Sequence, residues 1–332
     1  MGILSLEEFK QPTFLGYVEN ALNPKTYMLK EISDTDVTYD LTFDYEVFAE
    51  TYAPTASITG WNSGAPLRDK EGFKVVTQEV AKIQHGIRID EREQLKFMNP
   101  RTDGERNQAI KRVYDQTDRL IVGVDDTEEY LRAQAVYVGA ITYNDTKNNV
   151  NVEVSFGLNP IVPVTTPWTD RVDATPLDDL LVALQAYKDA NAGQSPKYID
   201  MSSAVLMDLR QNDNIRGAVF GVNSSKIASR QNVQDEINAL ADTTIEIRIQ
   251  DNVVLLDTTG QVTRLLPTRT VALLGAQPII TVEGPTIEKN FEPGIYVVTK
   301  EDMGPPPQDE IYVGKSAFVA VRKPSEIYRL SV

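Results

Sequence analysis

The 332-residue sequence contains no cysteine and a single histidine, His85. Without cysteine the chain has no disulfide bond, no thiolate metal site and no cysteine nucleophile. A serine–histidine–aspartate triad or a zinc site would have to use His85, and a zinc site with one imidazole and no thiolate is unusual. The surrounding "AKIQHGIRID" alternates as a strand does. We therefore predict that His85 lies on the surface or on an edge strand.

Long apolar runs and an excess of basic residues are also missing. No window approaches the ~18 consecutive apolar residues of a membrane span, and we expect no secretory signal at the start of the chain. The formal net charge is −15, which argues against broad phosphate binding through clustered lysine and arginine. These properties predict neither a membrane protein nor a protein that binds nucleic acid directly.

Motifs of catalysis and cofactor binding are absent too. The sequence has no "GxxxxGK" phosphate-binding loop and no glycine-rich dinucleotide turn, and no carboxylate pair stands out among its 48 acidic residues. The acidic run between Asp125 and Glu129 offers oxygen ligands for a hard cation, but it lacks the glycine and the spacing of a calcium-binding loop. We interpret it as a solvated helix face or an interface charge patch, and we expect no catalytic residue, cofactor or metal.

Charge is distributed unevenly over the first third of the chain. Residues 1–59 carry 3 basic and 10 acidic side chains, a net charge of −7. Residues 60–112 carry 11 basic and 8 acidic side chains, a net charge of +3. Adjacent segments of opposite sign attract each other, either within one chain or between chains.

The first hundred residues contain two segments that need another surface. Residues 1–45 have many large apolar side chains at neither the helical nor the strand period, and we predict an arm that docks elsewhere. Residues 46–98 are predicted to be extended, with a loop rich in glycine and proline, "TGWNSGAPLRDKEG", between strand-like stretches. A two-stranded excursion of this length cannot bury its own apolar side chains.

The strongest helical signal covers residues 104–143. Apolar residues recur there at i, i+3, i+4 and i+7 spacing, which predicts one very long helix or two helices joined near Gly123. We expect the helix to end at residues 144–145. The following "NVNVEVSF" alternates and predicts a strand with its valines and Phe156 on one face. The helix residues predicted to pack on that face are Val113, Leu120, Ile121, Leu131 and Val136.

From residue 172 the pattern changes to alternating helices and strands. Thr175 is a natural N-cap before Pro176, and Gly193 closes the predicted helix. A strand and a short helix follow in "KYIDMSSAVLMDLRQN", then another helix in "ASRQNVQDEINAL". The stretch "TIEIRIQDNVVLLD" is predicted to be a hairpin around its Asp-Asn pair, and the chain returns to strand near its end.

This order of elements resembles the major capsid proteins of tailed bacteriophages, and in particular the capsid protein E family that includes the phage lambda shell protein. The similar stretches are "FKVVTQEVAKIQHGIRID", "EEYLRAQAVYVGAITYNDTKNNVNVEVSFG", "MSSAVLMDLRQNDNIR", "LLPTRTVALLG" and "KSAFVAVRKPSEIYRLSV". They cover most of residues 45–332, and the N-terminal arm matches least. The resemblance is specific as an ordered series of stretches rather than in any single one.

The resemblance implies an α+β fold of the Hong Kong 97 type. It predicts an N-terminal arm (1–45), an extended two-stranded loop (46–98), a peripheral domain with a long spine helix (99–171), an α/β axial domain (172–290) and a C-terminal return to the peripheral domain (291–332). The implied function is that of a major capsid protein, which self-assembles into the icosahedral head shell around a phage genome.

The same resemblance implies partners and a location. We expect a homo-oligomer of hexamers and pentamers, a separate scaffolding protein, a portal and a decoration protein. The shell would enclose DNA without binding it specifically and would have no contact with a membrane. The protein would reside in the virion, and in the host cytoplasm during assembly.

In that family the arm and the extended loop lie on neighbouring subunits, so we predict a charged contact between subunits. The basic candidates are Arg68, Lys70, Lys74 and Lys82. The carboxylate candidates are Asp125, Asp126, Glu128 and Glu129, or those of the acidic arm.

Two alternatives remain open at the level of sequence. An encapsulin-like nanocompartment shell shares the fold, and a soluble enzyme with an unrecognised carboxylate site would explain the many acidic residues. Shells visible by electron microscopy would separate assembly from the enzyme. Packaged DNA rather than a cargo protein would separate the phage head from the nanocompartment.

Overall fold

The computed structural model describes residues 4, 7–10, 13–21, 25–47, 74–89, 92, 94–95, 102–145, 150–221, 224–302, 304 and 308–332. Its α-helices are α1 (Thr13–Asn20), α2 (Asp103–Ala133), α3 (Pro176–Ala190), α4 (Ser203–Gln211), α5 (Asp213–Phe220) and α6 (Arg230–Ala241). Its strands are β1 (Ser33–Val37), β2 (Thr42–Val47), β3 (Lys74–Glu79), β4 (Ala81–Ile89), β5 (Ala140–Asp145), β6 (Val150–Ser155), β7 (Val162–Pro163), β8 (Tyr198–Met201), β9 (Glu246–Ile249), β10 (Val253–Leu256), β11 (Gln261–Arg264), β12 (Thr270–Leu274), β13 (Ile279–Thr286), β14 (Glu292–Pro293), β15 (Tyr296–Asp302), β16 (Gln308–Val321) and β17 (Ile327–Ser331). None of the described helices is both long enough and apolar enough to cross a membrane.

The chain divides into two compact units, each assembled from separate stretches of sequence. The first unit consists of Met1–Phe43, Thr77–Arg132 and Thr281–Val319. The second consists of Asp44–Val76, Ala133–Ile280 and Ala320–Val332.

A six-stranded sheet forms the centre of the first unit. Its strands follow the order β1-β13-β16-β15, with β14 pairing to β13 and β4 pairing to β16. The long strand β16 pairs antiparallel with β15 and with β4, so that Val313 is opposite both Val297 and His85. Its residues from Val313 to Val321 are all buried, as expected of a strand that is covered on both faces.

Helix α2 runs without interruption through Gly123, so the single long helix predicted from the apolar spacing is the correct alternative. Its apolar face packs against β4, β15 and β16 and against the start of the chain. For Val113, Leu120 and Ile121 the predicted partner, the apolar face of β6, is wrong, because these residues pack in this core instead. The buried residues of this core are Leu4, Phe9, Phe14, Val18, Ile89, Ala109, Val113, Leu120, Ile121, Val124, Val297, Ile311 and Val313.

The end of the long helix also differs from the prediction. The α-helix ends at Ala133, a π-helical turn covers Gln134–Val138, and Gly139 closes it with φ +86°. Glycine adopts this left-handed conformation without the steric penalty of a side chain, which is why helices often end there. The next residues do not continue the helix because they pair as β5 with β6, with Ile141 opposite Val154.

His85 lies on β4, whose only strand partner among the described residues is β16, so the predicted edge-strand position is confirmed. Its Nε2 atom is 2.7 Å from the carbonyl oxygen of Leu120 on α2. Gly123 makes this approach possible, since a Cβ atom at that position would lie 2.4 Å from Cε1 of the imidazole. The glycine inside the helix is therefore explained by packing rather than by a hinge.

We expect Gly123→Ala to destabilise the first unit, although alanine is favoured over glycine in helices by about 1 kcal/mol. The added methyl group displaces the imidazole of His85 from its contact with α2. In a His85→Ala background the same substitution should instead be stabilising, because the space is then open. Urea unfolding of the four proteins measures both effects. Equal changes in the two backgrounds would contradict the assigned contact.

A five-stranded sheet with the order β7-β17-β12-β8-β9 forms the centre of the second unit. Strand β12 is antiparallel to β17 and β8, whereas β8 and β9 are parallel and are connected through α4, α5 and α6. Helix α3 begins at Pro176 after the N-cap Thr175, as predicted, and Gly193 follows it with φ +80°. These helices and the sheet share one apolar core around Trp168 and Ile199.

The hairpin predicted within "TIEIRIQDNVVLLD" is wrong. Strand β9 ends at Ile249 and pairs only with β8 among the described strands, whereas β10 pairs with β11. Two contacts hold the chain between β9 and β10 at the end of β8. The backbone N–H of Gln250 donates to the carbonyl of Met201, and the carboxylate of Asp251 accepts a bond from the N–H of Ser203.

The described residues of the predicted arm dock on their own chain. Phe9 and Phe14 are fully buried and pack against Tyr114 of α2, with ring centroids 5.4 and 5.9 Å away. Of the predicted two-stranded loop, strands β2 and β3 pair with each other. The glycine-rich stretch within residues 48–73 lies outside the described residues.

Candidate assembly surfaces

A cluster of four buried charges and the half-buried Glu283 joins helix α2 to the sheet of the first unit. We call Glu128, Glu129, Arg132, Glu283 and Lys315 the ionic cluster. The guanidinium of Arg132 contacts Glu128 and lies 3.1 Å from Oε2 of Glu129. The ammonium of Lys315, on β16, contacts Glu128 and lies 3.5 Å from Oε1 of Glu283 on β13.

The ionic cluster also holds the backbone of the arm. Oε1 of Glu129 accepts a hydrogen bond from the N–H of Leu29 at 2.8 Å. Nε of Arg132 donates to the hydroxyl of Thr281 at 3.1 Å, and that hydroxyl is 2.7 Å from the hydroxyl of Ser33. The C-terminal end of α2 is thus connected to the arm, to β13 and to β16.

Burial lowers the pKa of both cations of the ionic cluster, Arg132 and Lys315. Loss of water lowers the pKa of Arg132, while the charge and hydrogen bond of Glu129 oppose that shift. Burial likewise lowers the pKa of Lys315 to about 8, with Asp125 opposing it. The direct contacts of Lys315 with Glu128 and Glu283 favour its charged form further. Both cations therefore remain charged at neutral pH, and the cluster is a set of ion pairs.

The predicted carboxylates of the acidic run separate into two groups. Glu128 and Glu129 are buried inside their own chain, so the interpretation of the whole run as a solvated face or interface patch is wrong for these two. Asp125 and Asp126 are half-buried. Asp126 is 2.5 Å from Nζ of Lys25 and accepts a bond from the hydroxyl of Tyr27 at 2.8 Å.

The predicted basic residues are less completely described. Lys82 is exposed and forms an ion pair with Glu288 of the same chain. The backbone of Lys74 lies in β3, but its side chain is outside the described part, as are Arg68 and Lys70 altogether. No described basic candidate contacts one of the four predicted carboxylates within the chain.

Sequence reasoning missed the cations of the ionic cluster. The spacing of Glu128 and Arg132, four residues apart on a helix, was a usable signal for one pair. The contacts of Glu283 and Lys315 join positions more than 150 residues away from α2, and no spacing rule predicts them.

The second unit contains a buried ion pair of its own. Asp200 on β8 receives two hydrogen bonds from Arg248 on β9, at 2.7 and 2.8 Å, and one from the hydroxyl of Tyr137 at 2.7 Å. Burial lowers the pKa of Arg248, but the hydrogen bond and charge of Asp200 outweigh it and raise that pKa overall. These groups satisfy one another, which is typical of structural ion pairs.

The fold is similar to those of solved capsid proteins and of a phage-related protein. A phage-related protein from Bordetella bronchiseptica RB50 has a TM-score of 0.57 at 14% identity, covering 96% of this chain and 95% of that one. A protein assigned as a prophage capsid protein of Escherichia coli CFT073 has a TM-score of 0.57 at 12% identity, covering 78% and 79%. The capsid of Myoviridae phage XM1 has a TM-score of 0.51 at 9% identity, covering 94% and 95%. No curated protein matches the chain.

At these identities the similarity shows the fold alone, and the fold is that of phage capsid proteins. The sequence itself defines the family, because residues 16–332 match the family described as phage major capsid protein E. The chain belongs to that family. The α+β capsid fold and the family predicted from the sequence are therefore confirmed, and the family favours the phage head over the nanocompartment.

Proposed function

We propose that copies of this chain assemble, as hexamers and pentamers, into the closed icosahedral shell of a phage head. The family match over residues 16–332 carries this proposal. The chain acts in it as a structural subunit without enzymatic activity. Its described buried charges support this role, because those of the ionic cluster and of the Asp200–Arg248 pair contact one another in ion pairs.

The net negative charge of the chain is suited to a shell that encloses DNA. With a net charge of −15, a shell wall repels phosphate and confines a genome without adhering to it. On this proposal the protein resides in the virion, after assembly in the host cytoplasm. It works with a separate scaffolding protein, a portal and a decoration protein.

Sedimentation velocity of the purified chain tests the proposal. We expect species far larger than the 37.0 kDa subunit, with a fast-sedimenting boundary that grows with protein concentration. A soluble enzyme would instead sediment as a monomer or a small oligomer at every concentration. That result would overturn the proposal.

We further propose that Arg68 and Lys70 contact carboxylates of a neighbouring subunit. Because Asp126, Glu128 and Glu129 have partners in their own chain, we place the contact at acidic residues near the start of the chain. Asp36 and Asp40 are two of the exposed acidic residues described there. Lys74 and Lys82 remain secondary candidates, the latter already paired with Glu288.

Reversing Arg68 and Lys70 to glutamate should weaken assembly at low ionic strength. Each exposed pair contributes only about 0–1 kcal/mol, but a shell repeats the contact in every subunit. The defect should shrink as salt screens the repulsion, and reversal of Asp36 and Asp40 to lysine should restore assembly. Light scattering across a salt series measures both. Assembly that does not respond to the reversal or to salt would refute the contact.

A further inference from the structure

The hairpin of β10 and β11 carries an apolar face that nothing in the described chain covers. Leu255 is directly opposite Val262, and Val253 is opposite Arg264, so these four side chains share one face of the hairpin. Leu255 is 68% exposed and Val262 is 66% exposed. Val254, which lies between Val253 and Leu255 on the strand, belongs to the opposite face of the hairpin and is buried. We call Val253, Leu255, Val262 and Arg264 the hairpin face.

Helix α3 presents a second uncovered surface. Its outward residues follow one another at helical spacing of i, i+3, i+4, i+7 and i+11. They are Asp178, Leu181, Val182, Gln185 and Asp189, and we call them the helix stripe. Val182 is 67% exposed, whereas the opposite side of the helix, with Leu180 and Leu184, is buried in the core.

The two surfaces are formed by different elements of the second unit. Helix α3 packs on β17, which is next to the edge strand β7, and on the helices α5 and α6. The hairpin begins four residues after β9, which forms the other edge. Surfaces that lie apart on one subunit and complement each other produce head-to-tail contacts, and such contacts close into rings when the rotation between copies allows it.

Charge completes the match between these surfaces. The hairpin face carries one cation, Arg264, beside its three apolar side chains. The helix stripe has its apolar pair in the middle and a carboxylate toward each end, Asp178 and Asp189. The weak pairing of Arg264 with Asp251 within its own chain, at 3.7 Å between two exposed side chains, leaves it able to reorient. An apolar centre with complementary charge beside it is the usual composition of a subunit interface.

We propose that the hairpin face of one copy packs on the helix stripe of the next copy around a capsomer. Leu255 and Val262 cover Leu181 and Val182, and Arg264 pairs with Asp178 or Asp189. This inference rests on the proposed function, because it names the surface through which identical subunits meet in a ring.

Disulfide trapping tests the contact without interference, since the natural chain has no cysteine. Shells are assembled from a mixture of Leu255→Cys chains and Leu181→Cys chains and are then oxidised. We expect disulfide-linked dimers on a non-reducing gel, and a ladder up to five or six subunits when one chain carries both cysteines. The matched control pairs Leu255→Cys with Val172→Cys, another exposed residue of the same unit that lies outside the helix stripe, and it should give no dimers.

The failures of the two proposals are distinguishable. Intact shells that give no dimer from the mixture would overturn the contact and leave the proposed function standing. A natural chain that forms no shells would overturn both.

A second variant makes the test independent of cysteine chemistry. Leu255→Glu should reduce the yield of shells at least tenfold while the melting temperature of the subunit stays unchanged, because the side chain is exposed in the isolated chain. A normal shell yield from Leu255→Glu would overturn the contact.

Discussion

The Arg132→Leu variant should lose about 3–5 kcal/mol of the free energy of unfolding, which is the usual result of breaking a buried ion pair by removing one partner. Arg132 is the cation that lies between Glu128 and Glu129. Leucine removes the cation that lies 3.1 Å from Oε2 of Glu129, a carboxylate that is fully buried. Since domains are stable by only about 5–15 kcal/mol, we expect little soluble protein and no assembly.

An exposed arginine of the first unit, Arg88 on β4, provides the control for this loss. Arg88 forms an ion pair with Glu310 at 3.1 Å, but its side chain is exposed. Arg88→Leu should therefore change stability very little. Urea unfolding measures the free energy of unfolding of both variants. Similar small losses from Arg132→Leu and Arg88→Leu would show that the ionic cluster does not hold α2 to the sheet.

The Phe14→Ala variant should lose about 3–5 kcal/mol, as is typical for deleting a fully buried aromatic ring. Phe14 is completely buried, and its ring meets Phe9 edge-on at a centroid distance of 5.5 Å. Both rings also contact Tyr114 of α2. The substitution removes the centre of this cluster and releases α1 from the helix.

Hydrogen exchange locates the effect of Phe14→Ala. Protection should fall throughout α1 and in the neighbouring turns of α2 around Tyr114. The control is Tyr39→Ala, whose ring is 73% exposed in the isolated chain and should leave both protection and stability unchanged. An unchanged free energy of unfolding for Phe14→Ala would mean that the arm does not dock on its own chain.

The apolar spacing along α2 predicted one very long helix or two helices joined near Gly123, and it did not identify the strands that cover the helix. A period of 3.6 shows which face of a helix is buried, and it says nothing about which strand covers that face. The covering strands β15 and β16 come almost 200 residues later. The end of the helix was predicted too late, because the apolar residues after Gly139 fit a helix as well as a strand. Pairing with β6 decides between them.

Tertiary contacts also explain why the interpretation of the acidic run and the prediction of a hairpin after β9 were wrong. Local sequence gives Glu128 and Glu129 the appearance of solvated residues, and Lys315, which contacts Glu128, is supplied by a distant strand. Similarly, the Asp-Asn pair after β9 has turn chemistry, but Asp251 caps the start of α4 instead of closing a hairpin. Family resemblance predicted the family and the fold correctly, because it compares the order of elements over the whole chain.

Electron microscopy of the expressed protein tests the central claim most directly. We predict closed shells of uniform diameter whose reconstruction has icosahedral symmetry and shows copies of the two described units in every subunit. A preparation of folded protein that remains as single 37.0 kDa particles, at concentrations that drive capsid proteins to assemble, would contradict the account.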